Sequence, residues 1–308
     1  MNNTNFIGLW EDLELEEKNV LLWLMYHQGR YDLNKLINDR DDWQIFEKII
    51  LLDQEADQIK LNNDPRVHLI EPTIDSRQNK HTFLWWYEYV QKMEKLAGYL
   101  TRLTDNKNKT TDYMFDALFG TMRLHKELLL DHISNSKYQS KFILSSRSNN
   151  KHITGFPNDN LSGVTINGEQ YPPCSVSSVI PYLIYNNSWY TISCETTFEG
   201  VPFYTEKTAK PLLAKRIFVL VGNQYHIKGL KSFGFKTFDR IIDESFDNYE
   251  QVEDRCKGAW DQIEWMLEQD PLELYEKVED ILEHNQQLIL NTDYLQQLKT
   301  IVHNIINT

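Results

Sequence analysis

Cysteine is nearly absent: Cys174, Cys194 and Cys256 are the only three in 308 residues. Their number is odd, their spacing wide, and no CxxC pair occurs. That excludes a disulfide framework and a thiolate metal site, and leaves buried free thiols in a reducing cytosol as the expectation. Glycine (12) and proline (9) are also scarce, which excludes a loop-rich or low-complexity chain. No uncharged apolar stretch approaches the length of a membrane span; the best is Val20–Tyr26. The residues around Met1–Asn5 lack a basic segment, and Asp12, Glu14, Glu16 and Glu17 follow, so no secretory signal is expected and the expected compartment is the cytoplasm. Positive charge is short too. Lys and Arg total 32 against 45 Asp and Glu, a net −13. Such a chain is poorly suited to duplex nucleic acid, whose affinity comes from neutralised phosphates, or to an anionic bilayer. GxGxxG, Walker A, GxSxG and HExxH patterns are missing, and the histidines are scattered. Asp39-Arg40-Asp41 is the nearest approach to a metal-binding Asp-x-Asp, but it sits in a charged stretch that reads as a helix end and turn. No metal is expected.

What the chain has is aromatic weight, with 8 Trp, 16 Tyr and 14 Phe, and 41% apolar residues overall. That is enough for a large core. Short apolar runs at Val20–His27, Lys48–Asp53, Arg66–Ile70, Lys141–Ser145, Ser188–Glu195 and Arg216–Val221 read as strands. Apolar residues at helical spacing predict a long helix over Thr82–Leu103, a helix around Glu127–Ile133, and tail helices near Tyr249–Glu268, Pro271–Asn285 and Asp293–Asn307. Strands alternating with helices predict an α/β fold with parallel sheets. The stretch Ser148–Pro173 is rich in Asn, Gly, Ser, Asp and Pro, and reads as a linker between an N-terminal half (1–147) and a C-terminal half with a helical tail (174–308).

The charge is unevenly spread. Tyr204–Arg240 holds eight bases and two acids, a net +6, whereas Ile241–Leu290 holds fifteen acids and three bases, a net −12. Inside the positive stretch, Thr205-Glu206-Lys207-Thr208-Ala209-Lys210 looks like a helix start. Thr205 is a good N-cap, Glu206 suits the first turn, and Lys207 and Lys210 follow. A helix N-terminus with a nearby lysine can cradle phosphates, and in open α/β sheets such sites lie at the carboxyl ends of strands. A capped surface helix is the plain alternative. The Trp85-Trp86-Tyr87 cluster could stack a sugar ring, though an aromatic stripe at helical spacing is more often core.

The residues from Glu195 through Thr205-Glu206-Lys207-Thr208-x-Lys210-Pro211, with Gly234-Phe235-Lys236-Thr237-Phe238 and Asp243-Glu244-Ser245-Phe246-Asp247, resemble phage-encoded glycosyltransferase-like proteins and, more distantly, the α-1,3-fucosyltransferase group. Arg123-x-His125-Lys126 resembles the Arg-x-His-Arg element of that set. The resemblance is specific over roughly 195–247, looser over 112–131 and weak before that. It implies a GT-B-like arrangement of two Rossmann-like halves, the N-terminal one shortened, with the C-terminal one holding a nucleotide-diphosphate sugar. It also implies no cofactor and no catalytic metal. Carried over by position, Glu206 contacts the donor ribose or sugar, Lys207 with Arg123 neutralises the diphosphate, Glu195 matches a family acid, and Thr205, Lys210, His125 and Lys126 complete the donor site. Two departures stand out: Thr196-Thr197 replaces the family's Asn-Ser, and Lys126 replaces its Arg, losing the bidentate fork.

Transfer to a glycan or other hydroxyl acceptor needs a general base in the N-terminal half. Asp53 and Glu55, at the end of the Lys48–Asp53 run, are the candidates, with Glu71 after the next run. Two other functions remain open: a non-catalytic binding or virion-associated protein that keeps the fold, and a glycosyltransferase acting on DNA bases, against which the −13 charge counts.

Overall fold

The computed structural model describes residues 20–24, 48–52, 65–73, 80–146, 164–166, 169–171 and 179–307. The chain divides into two compact units, Met1–Trp85 with Asp293–Thr308, and Trp86–Thr292. Each unit carries a four-stranded parallel sheet, so the fold is mixed α/β.

In the first unit, β1 (Val20–Leu24), β2 (Lys48–Leu52), β3 (Val67–Glu71) and β4 (Lys80–Thr82) pair in chain order. All five residues of β3 are buried, as expected for a parallel strand covered on both faces. The helix Tyr294–Asn307 packs on β2, and Tyr294 meets Phe83 edge-on at 6.5 Å. Glu71 ends β3 buried and takes a 3.1 Å bond from Lys80 Nζ.

The second unit begins in α1 (Trp85–Ala97). The expected helix over Thr82–Leu103 is shorter than its pattern. It stops at Ala97 because Gly98 takes φ +61, a left-handed conformation that glycine adopts without a Cβ clash. A 3-10 turn, Tyr99–Arg102, follows, and the Glu94 carboxylate accepts the Leu100 N–H at 3.0 Å.

Next come β5 (Phe115–Phe119), α2 (Leu124–Asn135) and β6 (Phe142–Ser146); a small antiparallel pair, β7 (Val164–Ile166) and β8 (Glu169–Tyr171); then α3 (Tyr182–Asn186), β9 (Tyr190–Cys194), α4 (Glu206–Leu213), β10 (Phe218–Val221), α5 (His226–Ser232), α6 (Val252–Leu267), α7 (Pro271–Lys277) and α8 (Glu279–Asn291). The sheet order is β10-β9-β5-β6, all parallel. From β5 the chain first steps outward to β6, then returns to the other side of β5 and steps outward again through β9 and β10. Strand order therefore reverses between β5 and β9. Right-handed crossovers send α2 and α4 to opposite faces. Their partners agree: α2 packs on α6, and α4 packs on α8.

The unit boundaries fall at 85/86 and 292/293, whereas composition suggested 147/148 and 173/174. Most of 148–173 lies outside the described residues. The reason for the difference is β5 and β6, which form a βαβ step through α2 and pair with β9 rather than with the first sheet. Sequence patterning passed over the short β4, β7 and β8 and also β5, whose apolar run Asp116 interrupts. In the fold Asp116 is fully buried against Arg216, with Nη2 to Oδ2 at 2.7 Å. The expected single helix over Pro271–Asn285 is two, α7 and α8, because Val278 leaves helical geometry at φ −126 and ψ 14.

Candidate functional site: the carboxyl edge of the second sheet

The crevice outside the carboxyl ends of two strands flanking an order reversal is the usual ligand position in open parallel sheets. Here those strands are β5 and β9, and the loops that leave them, 120–123 and 195–205, run into the N-termini of α2 and α4.

The second loop is closed by Glu195. Its carboxylate is fully buried and takes three hydrogen bonds: Thr205 N–H to Oε1 at 3.1 Å, Thr205 Oγ1 to Oε2 at 2.5 Å and Thr208 Oγ1 to Oε1 at 2.5 Å. Burial pushes this carboxyl above the ordinary range, and the nearby Lys207 and the Thr bonds oppose that push. Glu195 thus fixes the start of α4. Its oxygens are engaged within the fold, so a direct donor contact, expected from position, is not what this side chain offers.

Thr205 is the N-cap of α4, its hydroxyl accepting the Lys207 N–H at 3.3 Å. Pro211 lies inside the helix and cannot donate to the Lys207 carbonyl one turn back. Ser193 Oγ on β9 donates to that carbonyl instead, at 2.9 Å. Proline and serine together lock α4 onto the strand whose end carries the site.

Lys207 Nζ reaches Glu206 Oε1 at 2.7 Å, Thr196 Oγ1 at 3.2 Å and Thr205 Oγ1 at 3.3 Å. Burial disfavours its charge, but Glu206 and Glu195 outweigh both burial and the Arg123 cation, so the ammonium is held above the ordinary lysine range. Glu206 is buried, and its carboxyl ends below the usual range because Lys207, Lys210 and its hydrogen bonds exceed the cost of burial. Lys210, half-buried, is pulled down to about 8, chiefly by burial.

Arg123 occupies the N-cap position of α2 without capping it. It is exposed, and its guanidinium makes no hydrogen bond or ion pair among the described residues. It nevertheless lies close enough to disfavour the charge of both neighbours, adding to the lowering of Lys126 and opposing the rise of Lys207. Lys126 is buried and donates to the Thr121 carbonyl at 3.1 Å. Four cations (Arg123, Lys126, Lys207, Lys210) therefore surround two carboxylates at one edge, beside two helix N-termini.

His125 does not join them as a ligand-facing group. It is fully buried, its Nε2 donates to the Glu195 carbonyl at 2.9 Å, and its ring lies 5.0 Å from Phe198. Burial first, then the Lys126, Arg123 and Arg255 cations, pull it to about 4, so it is a neutral strut between the two loops. The candidate bases Asp53 and Glu55 lie outside the described residues.

Two supports were not foreseen. Arg255 on α6 donates to the carbonyls of Phe198, Gly222, Tyr249 and Glu250, and so ties the 195–205 loop to the end of β10. Asn223 accepts Thr197 Oγ1 at 2.8 Å. The signal for Arg255 was present, since it is one of only three bases in the acidic 241–290 stretch. The +6 segment is also less concentrated than its arithmetic implied. Lys215 pairs with Glu283, Lys231 with Asp239 and Glu244, Arg240 with Asp280, and Arg216 with Asp116. Much of that positive charge offsets acids of the chain itself: Lys207 too is paired, with Glu206, and Lys210, Lys228 and Lys236 are the bases of the segment with no ion pair among the described residues.

Among the described residues, no group of three His, Cys, Asp or Glu side chains could hold a metal ion, and no helix is long and apolar enough to cross a membrane. Compared with known proteins, the chain matches no family model, no curated protein and no solved structure.

Proposed function

We propose that the second unit binds a phosphate-bearing small molecule at the β5/β9 carboxyl edge, and that the chain is a glycosyltransferase-like protein taking a nucleotide-diphosphate sugar without a catalytic metal. The observation that carries this reading is the meeting of Arg123, Lys126 and Lys207 with the N-termini of α2 and α4 where strand order reverses. A diphosphate needs several converging donors, and the exposed Arg123 makes no hydrogen bond or ion pair among the described residues. On this reading the second unit is the donor half of a GT-B-like pair. Lys207 and Arg123 stabilise the charge on the departing diphosphate, and an acid among Asp53 and Glu55 activates the acceptor hydroxyl.

A second reading, binding without turnover, is favoured by one feature: both carboxylates inside the site, Glu195 and Glu206, are already engaged.

Thermal-shift screening with UDP-, GDP- and ADP-sugars tests the proposal. A ligand at one hundred times its Kd adds about 2.7 kcal/mol of stability. The expected result is a shift with at least one of them that Arg123→Ala weakens. No shift with any of the three contradicts it, and a shift without release of nucleoside diphosphate selects the binding-only reading.

A further inference from the structure

The turn that leaves β10, residues 222–225, stands at the same carboxyl edge as the proposed phosphate site, one strand beyond β9. Strand spacing places it about 5 Å from the end of β9 and about 10 Å from the end of β5. Side chains tie it to the site. Lys207 Nζ reaches Thr196 Oγ1 at 3.2 Å, and the next residue, Thr197, donates its hydroxyl to Asn223 Oδ1 at 2.8 Å. Asn223 Nδ2 in turn donates to the Glu199 carbonyl. Two residues past Asn223 stands Tyr225.

Tyr225 occupies a backbone conformation that its side chain resists. It sits at φ +63 and ψ +21, the left-handed region, which a bulky residue rarely adopts. Glycine or asparagine would close this turn with less strain. The ring returns little to the fold. It is 45% exposed, its hydroxyl makes no hydrogen bond among the described residues, and Lys228 Nζ lies 5.3 Å from its centre. The exposed Tyr249 nearby is different, with an ordinary φ of −72 and its ring against Gly258 of α6. The backbone around Tyr225 is firmly held all the same. Its N–H donates to the Asp247 carbonyl at 2.8 Å, its carbonyl accepts the Gly229 N–H at 2.9 Å, and Gln224 Nε2 donates to the Asn248 carbonyl at 2.7 Å. Strained positions that the surrounding structure over-determines cluster at ligand clamps.

We infer that Tyr225 is the platform on which the base of a nucleoside diphosphate stacks. The inference rests on the reading of the β5/β9 edge as a diphosphate site and adds the other end of the ligand. The phosphates lie at Arg123 and Lys207, the ribose passes over Thr196, Thr197 and Asn223, and the base meets the Tyr225 ring. A bare phosphate or pyrophosphate is too short to touch both ends. Stacking needs a flat, accessible ring on a fixed backbone, which Tyr225 provides, and it accepts any base because every base has a π-face. The Lys228 ammonium beside the ring offers donors to the base's nitrogen and carbonyl acceptors.

Calorimetric titration of the intact parent, Tyr225→Gly and Tyr225→Phe with UDP, GDP, ADP and inorganic pyrophosphate tests this. Glycine accepts the left-handed backbone, so Tyr225→Gly removes the ring and keeps the turn, and its thermal midpoint reports that the fold is intact. The expected result is that Tyr225→Gly binds the parent's nucleotides about tenfold more weakly, the worth of one stacked base, while Tyr225→Phe stays within about twofold of the parent. Pyrophosphate, which has no ring to stack, should not distinguish Tyr225→Gly from the parent. Unchanged nucleotide affinity in Tyr225→Gly, an equal loss in Tyr225→Phe, or an equal loss for pyrophosphate overturns the inference and leaves the phosphate site standing. A parent that binds none of the three nucleotides overturns both.

Discussion

Glu195 holds Thr205 at two points, taking its backbone N–H on Oε1 at 3.1 Å and its hydroxyl on Oε2 at 2.5 Å. One carboxylate thereby fixes both the end of a nine-residue excursion from β9 (196–204) and the first turn of α4. Removing it as Glu195→Ala strands three buried donors. Each unsatisfied buried group costs about 1–3 kcal/mol, so the loss should reach at least about 3 kcal/mol in urea denaturation. Glu195→Gln keeps one acceptor oxygen and should cost less, about 1–2 kcal/mol.

Arg216 and Asp116 make the second test. Arg216 is 2% exposed and donates to Asp116, Ser188, Thr191 and the carbonyls of Tyr185, Ser188 and Tyr190. Asp116→Ala leaves a buried guanidinium without its counter-ion and should destabilise by about 3–5 kcal/mol. Asp116→Leu combined with Arg216→Met should cost less than the sum of the two single changes, because an apolar pair leaves no unpaired charge. An additive double-mutant cycle would contradict the pairing.

His125 and His226 predict the pH dependence. Both are fully buried, held to about 4 and about 3 by burial. Neither ring nitrogen of His226 has a hydrogen-bond partner among the described residues, and its ring lies 4.5 Å from Tyr204. It also lies so close to Gly222 that a Cβ there would come within 2.6 Å of Nδ1. The folded state keeps both rings neutral, while the unfolded chain protonates them below about 6.5. Their contribution is therefore intact above pH 6.5 and is lost as pH falls towards 4 and 3. Each ring adds a slope of about 1.4 kcal/mol per pH unit in that window. Asp116, Glu195 and Asp247, whose carboxyls are raised by burial, act in the opposite direction from the ordinary carboxylate range upward, and do so in parent and variant alike. The difference between parent and His226→Leu therefore isolates the ring: between about pH 5 and 6.5 the variant's stability curve should lose about one histidine's slope. An unchanged slope would contradict the neutral buried ring.

The parts of this fold that depend on local chemistry were readable in the sequence. The Thr205 cap, the first-turn place of Glu206 and the Lys48–Leu52 and Phe218–Val221 runs all follow from short-range pattern. What was not readable depends on partners far along the chain. Asp116 breaks the apolar run that would have marked β5, and the arginine that neutralises it lies one hundred residues on. Glu195 and His125 read as ligand contacts, because nothing in their own neighbourhood shows that Thr205, Thr208 and a backbone carbonyl engage them. The basic segment read as one patch, since its counter-charges on α8 (Asp280 and Glu283) are separated from it in sequence. Burial and long-range pairing decide these cases, and neither is local.

The central claim is that Arg123, with Lys207, meets a diphosphate at the β5/β9 edge. Arg123 is the sharper probe, since it is exposed and its guanidinium supports nothing else among the described residues. The most direct measurement is calorimetric titration of the parent chain and Arg123→Ala with UDP, GDP and ADP, with thermal midpoints recorded for both. The account predicts that the parent binds at least one diphosphate, and that Arg123→Ala weakens it by about tenfold or more with its midpoint unchanged, the worth of one charge-assisted bond. A parent that binds none of the three, or an Arg123→Ala variant that binds as tightly as the parent, would contradict it.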